Sequence, residues 1–346
     1  MVAEVVDAVI GIDTHRDSHE VEIADVTGTP IATMRISNDD RGFAALLASI
    51  AEVAPGPRVA VSLEGSRSYG IGLARALTAA GLLVIECEQP VRRRRRGKGK
   101  SDPIDAHLAV LVALRLDADR LPAPRADGDR EALRILLGAR QELTAVSTAQ
   151  TNRLRALLLA GDDTDRRAAR RALTDTALAG LAGRELPATA GRDLAVRQAE
   201  IQRLALALQQ ARRQLKANRR QLLAIVDDLA PGLTNRYGVG PVSAAQAVVS
   251  FSHPGRCRNE AAFAALGGTN PIQASSGRIV RHRLNRGGDR ALNCAIHTIA
   301  LTRIRSCPRT RAYVDRRTAQ GKTREKSGAA SSATSPASST GNSPNP

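Results

Sequence analysis

The 346-residue chain carries 51 Lys and Arg against 34 Asp and Glu, a formal net charge of +17, with no Trp, three Tyr and three Phe. That length allows two domains with a buried core in each, and the basic excess favours a polyanionic partner, because every neutralised phosphate releases counterions. The scarcity of rings excludes an aromatic base-stacking platform, no run of 18 apolar residues is present to span a membrane, and the N-terminus lacks the basic region of a signal peptide. The expected location is therefore the cytoplasm. Cys87, Cys257, Cys294 and Cys307 are scattered, with no C-x-x-C pair and no zinc spacing to the six histidines, and read as reduced thiols.

In chain order, "DAVIGID" and "HEVEIAD" are short β-rich runs separated by "THRDS", which predicts a hairpin, and "PIATMRIS" adds a third strand. Phe43, Leu46, Leu47 and Ile50 have helical spacing. "RVAVSLE" reads as a buried strand, "YGIGLARALTAAG" as a helix ended by Gly81, and "LLVIECE" as another strand. A basic run follows, and then a helix capped by Ser101 or Asp102 with Pro103 in its first turn. The order βββαβαβ-helix predicts a ribonuclease-H-like, RuvC-like α/β domain over residues 1–125.

Residues 126–230 read as coiled-coil helices. Leu194, Ile201, Leu208, Leu215, Leu222 and Leu229 recur every seven residues, with Leu204, Ala211, Asn218 and Ile225 at the second seam position. Asn218 on that seam trades packing for register. Residues 131–159 supply a partner helix through Leu133, Leu136, Leu143, Leu154 and Leu157, leaving an intramolecular hairpin and an intermolecular coiled coil both open. Residues 231–322 form a small, mainly helical C-terminal domain. Its "YGVGPVSAAQAVVSF" carries Gly238 and Gly240 in the turn of a helix-hairpin-helix, which aims backbone amides at a phosphate; a plain tight turn is the other reading. Residues 323–346 are rich in Ser, Ala and Pro and are expected to be disordered.

Asp13 ends the first strand and Glu64 the fourth, and in a ribonuclease-H-like sheet those strands adjoin. Asp102 and Asp105 stand at i and i+3 on one face of the following helix. Four hard oxygen donors suit Mg²⁺ or Mn²⁺, and a cation offsets the repulsion among them. Singly, each acid is equally at home as a turn or cap residue; their order on these elements is what favours a metal site. Asp17, Asp25 and Glu86 read as turn or surface residues, with Asp17 in reserve as a ligand. Arg92, Arg93, Arg94, Arg95, Arg96, Lys98 and Lys100 read as a strap over a nucleic-acid backbone, or else as a solvated linker. Between residues 261 and 300, a Ser-Ser-Gly turn lies beside Arg278, Arg281, Arg283 and Arg286. A serine there can attack a phosphodiester while the arginines neutralise developing charge, although such a turn is also an ordinary loop.

The stretches "GIDTHRDSHEVEIAD", "VSLEGS", residues 99–106 and "ALGGTNPIQASSGRIVRHRLNRGGDRAL" resemble the DEDD-type transposases of bacterial insertion sequences, the bridge-RNA-guided serine recombinases. The resemblance covers about residues 8–320. It implies that Asp13, Glu64, Asp102 and Asp105 are the catalytic, metal-binding tetrad and that Ser276, directly before Gly277, rather than Ser275, is the nucleophile. It also implies a non-coding guide RNA, donor and target DNA, and dimers that pair into a tetramer. A RuvC-like junction nuclease that forms no covalent intermediate, or a non-catalytic nucleic-acid-binding coiled-coil protein, are the competing readings.

Overall fold

The computed structural model describes residues 1–87, 102–185, 191–253, 255–275 and 281–321, without the side chains of Asp102 and Pro103. Two compact units are present. One is Met1–Glu131 with Phe251–Asn259, and the other is Ala132–Ser250 with the described residues from Glu260 onward.

The first unit is a mixed α/β structure. Strands β1 (Ala8–Thr14), β2 (Ser18–Asp25), β3 (Pro30–Ser37), β4 (Val59–Glu64) and β5 (Leu83–Cys87) form one sheet in the order β3-β2-β1-β4-β5. β1, β2 and β3 pair antiparallel as a meander, while β1–β4 and β4–β5 are parallel, joined by the crossover helices α1 (Asp40–Val53) and α2 (Ile71–Ala79). The predicted strands, both crossover helices and their order are present, consistent with the ribonuclease-H-like expectation. α1 starts where Asp39 accepts the Gly42 amide at 2.9 Å, the usual N-cap device.

Side-chain alternation divides the sheet into two faces. Ile10, Ile12, Val61, Leu63 and Val84 pack with Phe43 and Leu46 of α1 and Leu73 and Leu77 of α2. On the other face Val9, Ala24, Ala60 and Ile85 pack against Val110, Ala113 and Leu114 of α3 (Asp102–Leu114). Gly11 permits that approach, because a Cβ there would lie 2.0 Å from the Ala106 carbonyl oxygen.

The second unit is helical. α4 (Gly128–Leu159) enters it and α7 (Arg192–Leu229) returns alongside. Between them, α5 (Asp163–Arg170) and α6 (Asp175–Ala182) close one end in a core of Leu154, Leu158, Leu178, Leu181, Ile201, Leu204, Ala205 and Leu208. At the other end Leu133, Leu222 and Val226 pack with Ala244, Ala245 and Val249 of α8 (Pro241–Phe251). The two long helices are thus an intramolecular hairpin. Asn218 acts within it: buried, it donates to the Leu136 carbonyl at 2.8 Å, and Arg140 approaches its amide oxygen at 3.4 Å.

The heptad reading needs correction at both ends. Leu194 and Leu229 are exposed, and Val226 rather than Ile225 is fully buried, because the core contacts there come from α8 rather than from a continuous second helix. α9 (Glu260–Leu266), a hairpin of β6 (Ile272–Gln273) and β7 (His282–Arg283), α10 (Arg290–Ser306) and α11 (Pro308–Ala319) complete the described chain. Among the described residues no helix is long and apolar enough to cross a membrane.

Candidate functional site

The face beneath α3 gathers the predicted acids by simple alternation. Along β1, Val9, Gly11 and Asp13 share it; along β4, Ala60, Ser62 and Glu64 do. The parallel register sets Ile12 opposite Leu63, so Asp13 and Glu64 follow at adjoining strand ends on one edge. Asp105 directly precedes Ala106, whose carbonyl covers Gly11, two residues before Asp13. Asp13 and Asp105 are both buried and Glu64 is half-buried. The Thr14 hydroxyl donates to the Glu64 carbonyl at 2.8 Å and ties the two strand ends together.

The donor chemistry fits a hard divalent cation, since every predicted ligand is a carboxylate. Yet among the described residues no three His, Cys, Asp or Glu side chains close into a group able to hold a metal ion. The fold brings Asp13, Glu64 and Asp105 to one edge without closing a coordination shell, and the side chain of Asp102 lies outside the described residues.

Three side chains on this face were missed in the sequence. His15 Nε2 stands 3.3 Å from Asp13 Oδ2. Glu22 is buried and meets His107 Nδ1 at 2.6 Å, clasping α3 to β2. Ser62, fully buried opposite Gly11, has a hydroxyl with no hydrogen-bond partner among the described residues. The period-two signal for Glu22 and Ser62 was in the sequence, since they share a face with Ala24 and Ala60 two residues away; their α3 neighbours were not. Asp17 is exposed and pairs with Arg16, and Asp25 accepts from the Thr27 amide at 2.8 Å in a turn.

Glu86 is the clear correction. Expected at the surface, it is 4% exposed. Its carboxylate accepts from the Arg125 amide at 3.1 Å, bonds the Arg125 guanidinium, and has Arg67 Nε at 3.1 Å. Burial alone would raise its pKa, but Arg125 and Arg67 hold it below the ordinary glutamate value. The strand end gave no hint of an ion-pair partner 39 residues later.

In the second unit, the β6–β7 hairpin pairs Gln273 with His282, and the Ala274 amide donates to the Arg281 carbonyl at 2.8 Å. The Ser275 hydroxyl accepts from Gln273 Nε2 at 3.3 Å and from the Arg281 amide at 3.4 Å. Ser275, Arg281, Arg283 and Arg286 are exposed. Ser276 and Arg278 lie outside the described residues, as do Arg92, Arg93, Arg94, Arg95, Arg96, Lys98, Lys100 and the tail from 322. The base of this segment is clamped by backbone: a Cβ on Gly288 would meet the Gly268 nitrogen at 2.3 Å. Asn285 Nδ2 donates to Asn270 Oδ1 at 2.7 Å, and Asp289 caps α10 while accepting from Ser250 at 2.7 Å.

Gly238 is left-handed at φ +81° and abuts Arg303 and the Ile299 carbonyl of α10. The Gly240 amide meets the Ser243 hydroxyl at 3.1 Å, so its hydrogen-bonding capacity is engaged within its own turn.

Comparison with known proteins gives two family matches. Residues 10–160 match a DEDD family described as a transposase, and residues 232–315 match the transposase IS116/IS110/IS902 family. Together these ranges take in about two thirds of the chain. A curated Streptomyces coelicolor protein named "Mini-circle putative transposase for IS117" is 31% identical over 153 residues. That stretch covers 43% of this chain and 37% of the relative's length.

Proposed function

Because the chain belongs to the insertion-sequence transposase family of the IS110 type, we propose that it cleaves and exchanges DNA strands through a serine nucleophile, Ser276, aided by a divalent cation. The observation that carries this reading is the convergence of Asp13 and Glu64 on adjoining parallel strand ends beneath the helix that bears Asp105. Asp13, Glu64, Asp102 and Asp105 would hold Mg²⁺ or Mn²⁺. When bound, the ion supplies charge neutralisation at the phosphodiester oxygens.

The chain's own groups do the rest. Ser276 Oγ attacks phosphorus, a P–O(serine) bond forms, and the P–O bond to the leaving deoxyribose oxygen breaks, that oxygen taking up a proton. Attack by the hydroxyl of another strand end then forms the new phosphodiester and returns the serine. Arg278, Arg281, Arg283 and Arg286 neutralise the charge that develops on the phosphoryl oxygens. The engagement of Ser275 within its own hairpin supports the choice of Ser276. Glu22 and His107 act as positioning residues, because they fix the helix that carries Asp105.

The basic segment 92–100 and the turn at Gly238 and Gly240 contact nucleic-acid backbone in this reading. A non-coding RNA from the element pairs with donor and target DNA. The chain works as dimers that pair into a tetramer, metal edge and serine coming from different subunits.

The test is strand cleavage and exchange on the element's own ends with Mg²⁺. Asp13→Asn, Glu64→Gln and Asp105→Asn should each abolish it while leaving DNA binding intact. Full activity in any of them, or undiminished activity in excess chelator, would contradict the metal assignment. Free cut ends with no adduct at any time point would favour a junction nuclease instead.

A further inference from the structure

The long helix α7 carries its charge unevenly. Between Ile201 and Val226 it has Arg203, Arg212, Arg213, Lys216, Arg219 and Arg220 and no acid. Two of these cations are committed, Arg203 to Glu200 at 2.9 Å and Arg212 to Asp175 of α6 at 2.5 Å. Arg213, Lys216, Arg219 and Arg220 are exposed, and no carboxylate pairs with them among the described residues. At 3.6 residues per turn the four lie within an arc of about 120°. The arc starts at Arg219, beside the buried seam of Leu208, Ala211, Asn218 and Leu222, and turns outward to Arg213.

Arg140 of α4 borders the same arc. It donates to the Leu215 carbonyl at 3.2 Å, and burial together with the nearby Arg219 charge holds its guanidinium below the ordinary arginine value. Glu142, the one acid between residues 132 and 161, stands two positions from Arg140, hence about 200° around α4. A solvated helix face ordinarily mixes signs, as Glu200 and Arg203 do at the start of α7. Here Lys216 has Arg213 and Arg219 three residues away and Arg220 four away, spacings at which like charges destabilise a helix. A polyanion laid along the stripe would relieve that repulsion. The stripe ends before Asp227, whose carboxylate accepts from the Thr234 hydroxyl at 2.9 Å.

We propose that Arg213, Lys216, Arg219 and Arg220 form a rail for the phosphate backbone of duplex DNA on the outer flank of the helical hairpin. From Arg213 to Arg220 the helix rises about 10 Å, a length over which duplex DNA carries about six phosphates. Residues 128–230 contain no Phe, Tyr or Trp, so the hairpin offers no platform for unpaired bases and suits a duplex rather than a single strand. Asn218 and the hairpin core hold α7 in place, which presents the four side chains at fixed spacing. Contacts to phosphate add affinity and set orientation without reading sequence. The inference rests on the strand-exchange reading above, because the DNA is its substrate, but its test does not require turnover.

The full-length chain is titrated in chelator with a labelled mixed-sequence DNA duplex of roughly 30 base pairs and, separately, with an RNA duplex of that length, between about 50 and 200 mM salt. Lys216→Gln and Arg220→Gln should each lower the slope of log affinity against log salt by about 0.9 on DNA, and the double variant by about twice that. Lys216→Arg and Arg220→Lys should keep the slope. Arg213→Gln with Arg219→Gln gives a second, independent pair with the same expected fall. Glutamine is a good helix former, so helix content by circular dichroism should stay at the wild-type level throughout. Arg203→Gln serves as the control, since Arg203 is already paired with Glu200. A wild-type slope in both double variants, a fall no larger than in Arg203→Gln, or a fall confined to RNA would overturn the rail. An altered sedimentation coefficient with the slope intact would put a second copy of the chain on the stripe and overturn it equally. Failure of the serine adduct to form would instead overturn the strand-exchange reading and leave the salt result standing.

Discussion

Gly11→Ala should separate the carboxylate edge of Asp13 and Glu64 from the helix that bears Asp105. The added Cβ would stand 2.0 Å from the Ala106 carbonyl oxygen, 2.7 Å from Val110 Cγ2 and 2.9 Å from the Val110 nitrogen. Two of these three atoms are backbone in the middle of α3, so no rotamer change removes the clash. Restoring ordinary contact at 3.4 Å requires α3 to lift by about 1.4 Å. Overpacking of this kind costs about 1–3 kcal/mol. In a domain of this size that corresponds to a melting-temperature loss of about 3–10 °C. The functional cost should be larger, because Asp105 travels with the helix and a misplacement of about 1 Å can cost roughly 100-fold in rate. Calorimetry and Mg²⁺-dependent strand exchange read the two effects. Gly138→Ala, on an α4 position where a Cβ meets nothing within 4 Å, should instead leave exchange unchanged and add up to about 1 kcal/mol of stability. A Gly11→Ala protein that melts within a degree of wild type and exchanges strands at wild-type rate would refute the close packing of α3 on β1.

Two further outcomes follow from buried polar groups. Glu86→Gln should cost about 3–5 kcal/mol near neutral pH, because it leaves the buried Arg125 charge without its counter-charge. The folded-state pKa of Glu86 is depressed, so its contribution is present above the ordinary glutamate value of 4.5 and is lost as pH falls through the lower folded value. Wild-type and variant melting curves should therefore converge in acid, and a constant gap would count against the pair. Asn218→Ala should destabilise the helical unit by about 1–3 kcal/mol, since it removes the bond to the Leu136 carbonyl and leaves Arg140 with a weaker anchor. An unchanged melting temperature would show that the bond does not hold the hairpin in register.

What could be read in the sequence, and what could not, divides along physical lines. Strand alternation is local, so β1 and β4 were legible, and with them the emergence of Asp13 and Glu64 on one edge. The approach of α3 was only implied, because the glycine that permits it looks like any other small residue in a strand. Glu86 was misjudged for a different reason: a carboxylate at a strand end looks solvated until its partner is known, and Arg125 lies in a stretch without periodicity. The heptads were real, but their seam is shared with short helices and with α8, which no repeat announces. Leu194 and Leu229 are therefore exposed while Val226 is buried. Asn218 was legible in kind, because a polar residue on an apolar seam has few uses other than fixing register.

The most direct measurement is denaturing capture of a covalent protein–DNA adduct during strand exchange on the element's ends, for wild type, Ser275→Ala and Ser276→Ala. An adduct in wild type and in Ser275→Ala, absent from Ser276→Ala, is the predicted result. An adduct that survives Ser276→Ala, or strand exchange that proceeds in it at wild-type rate, would contradict the serine mechanism.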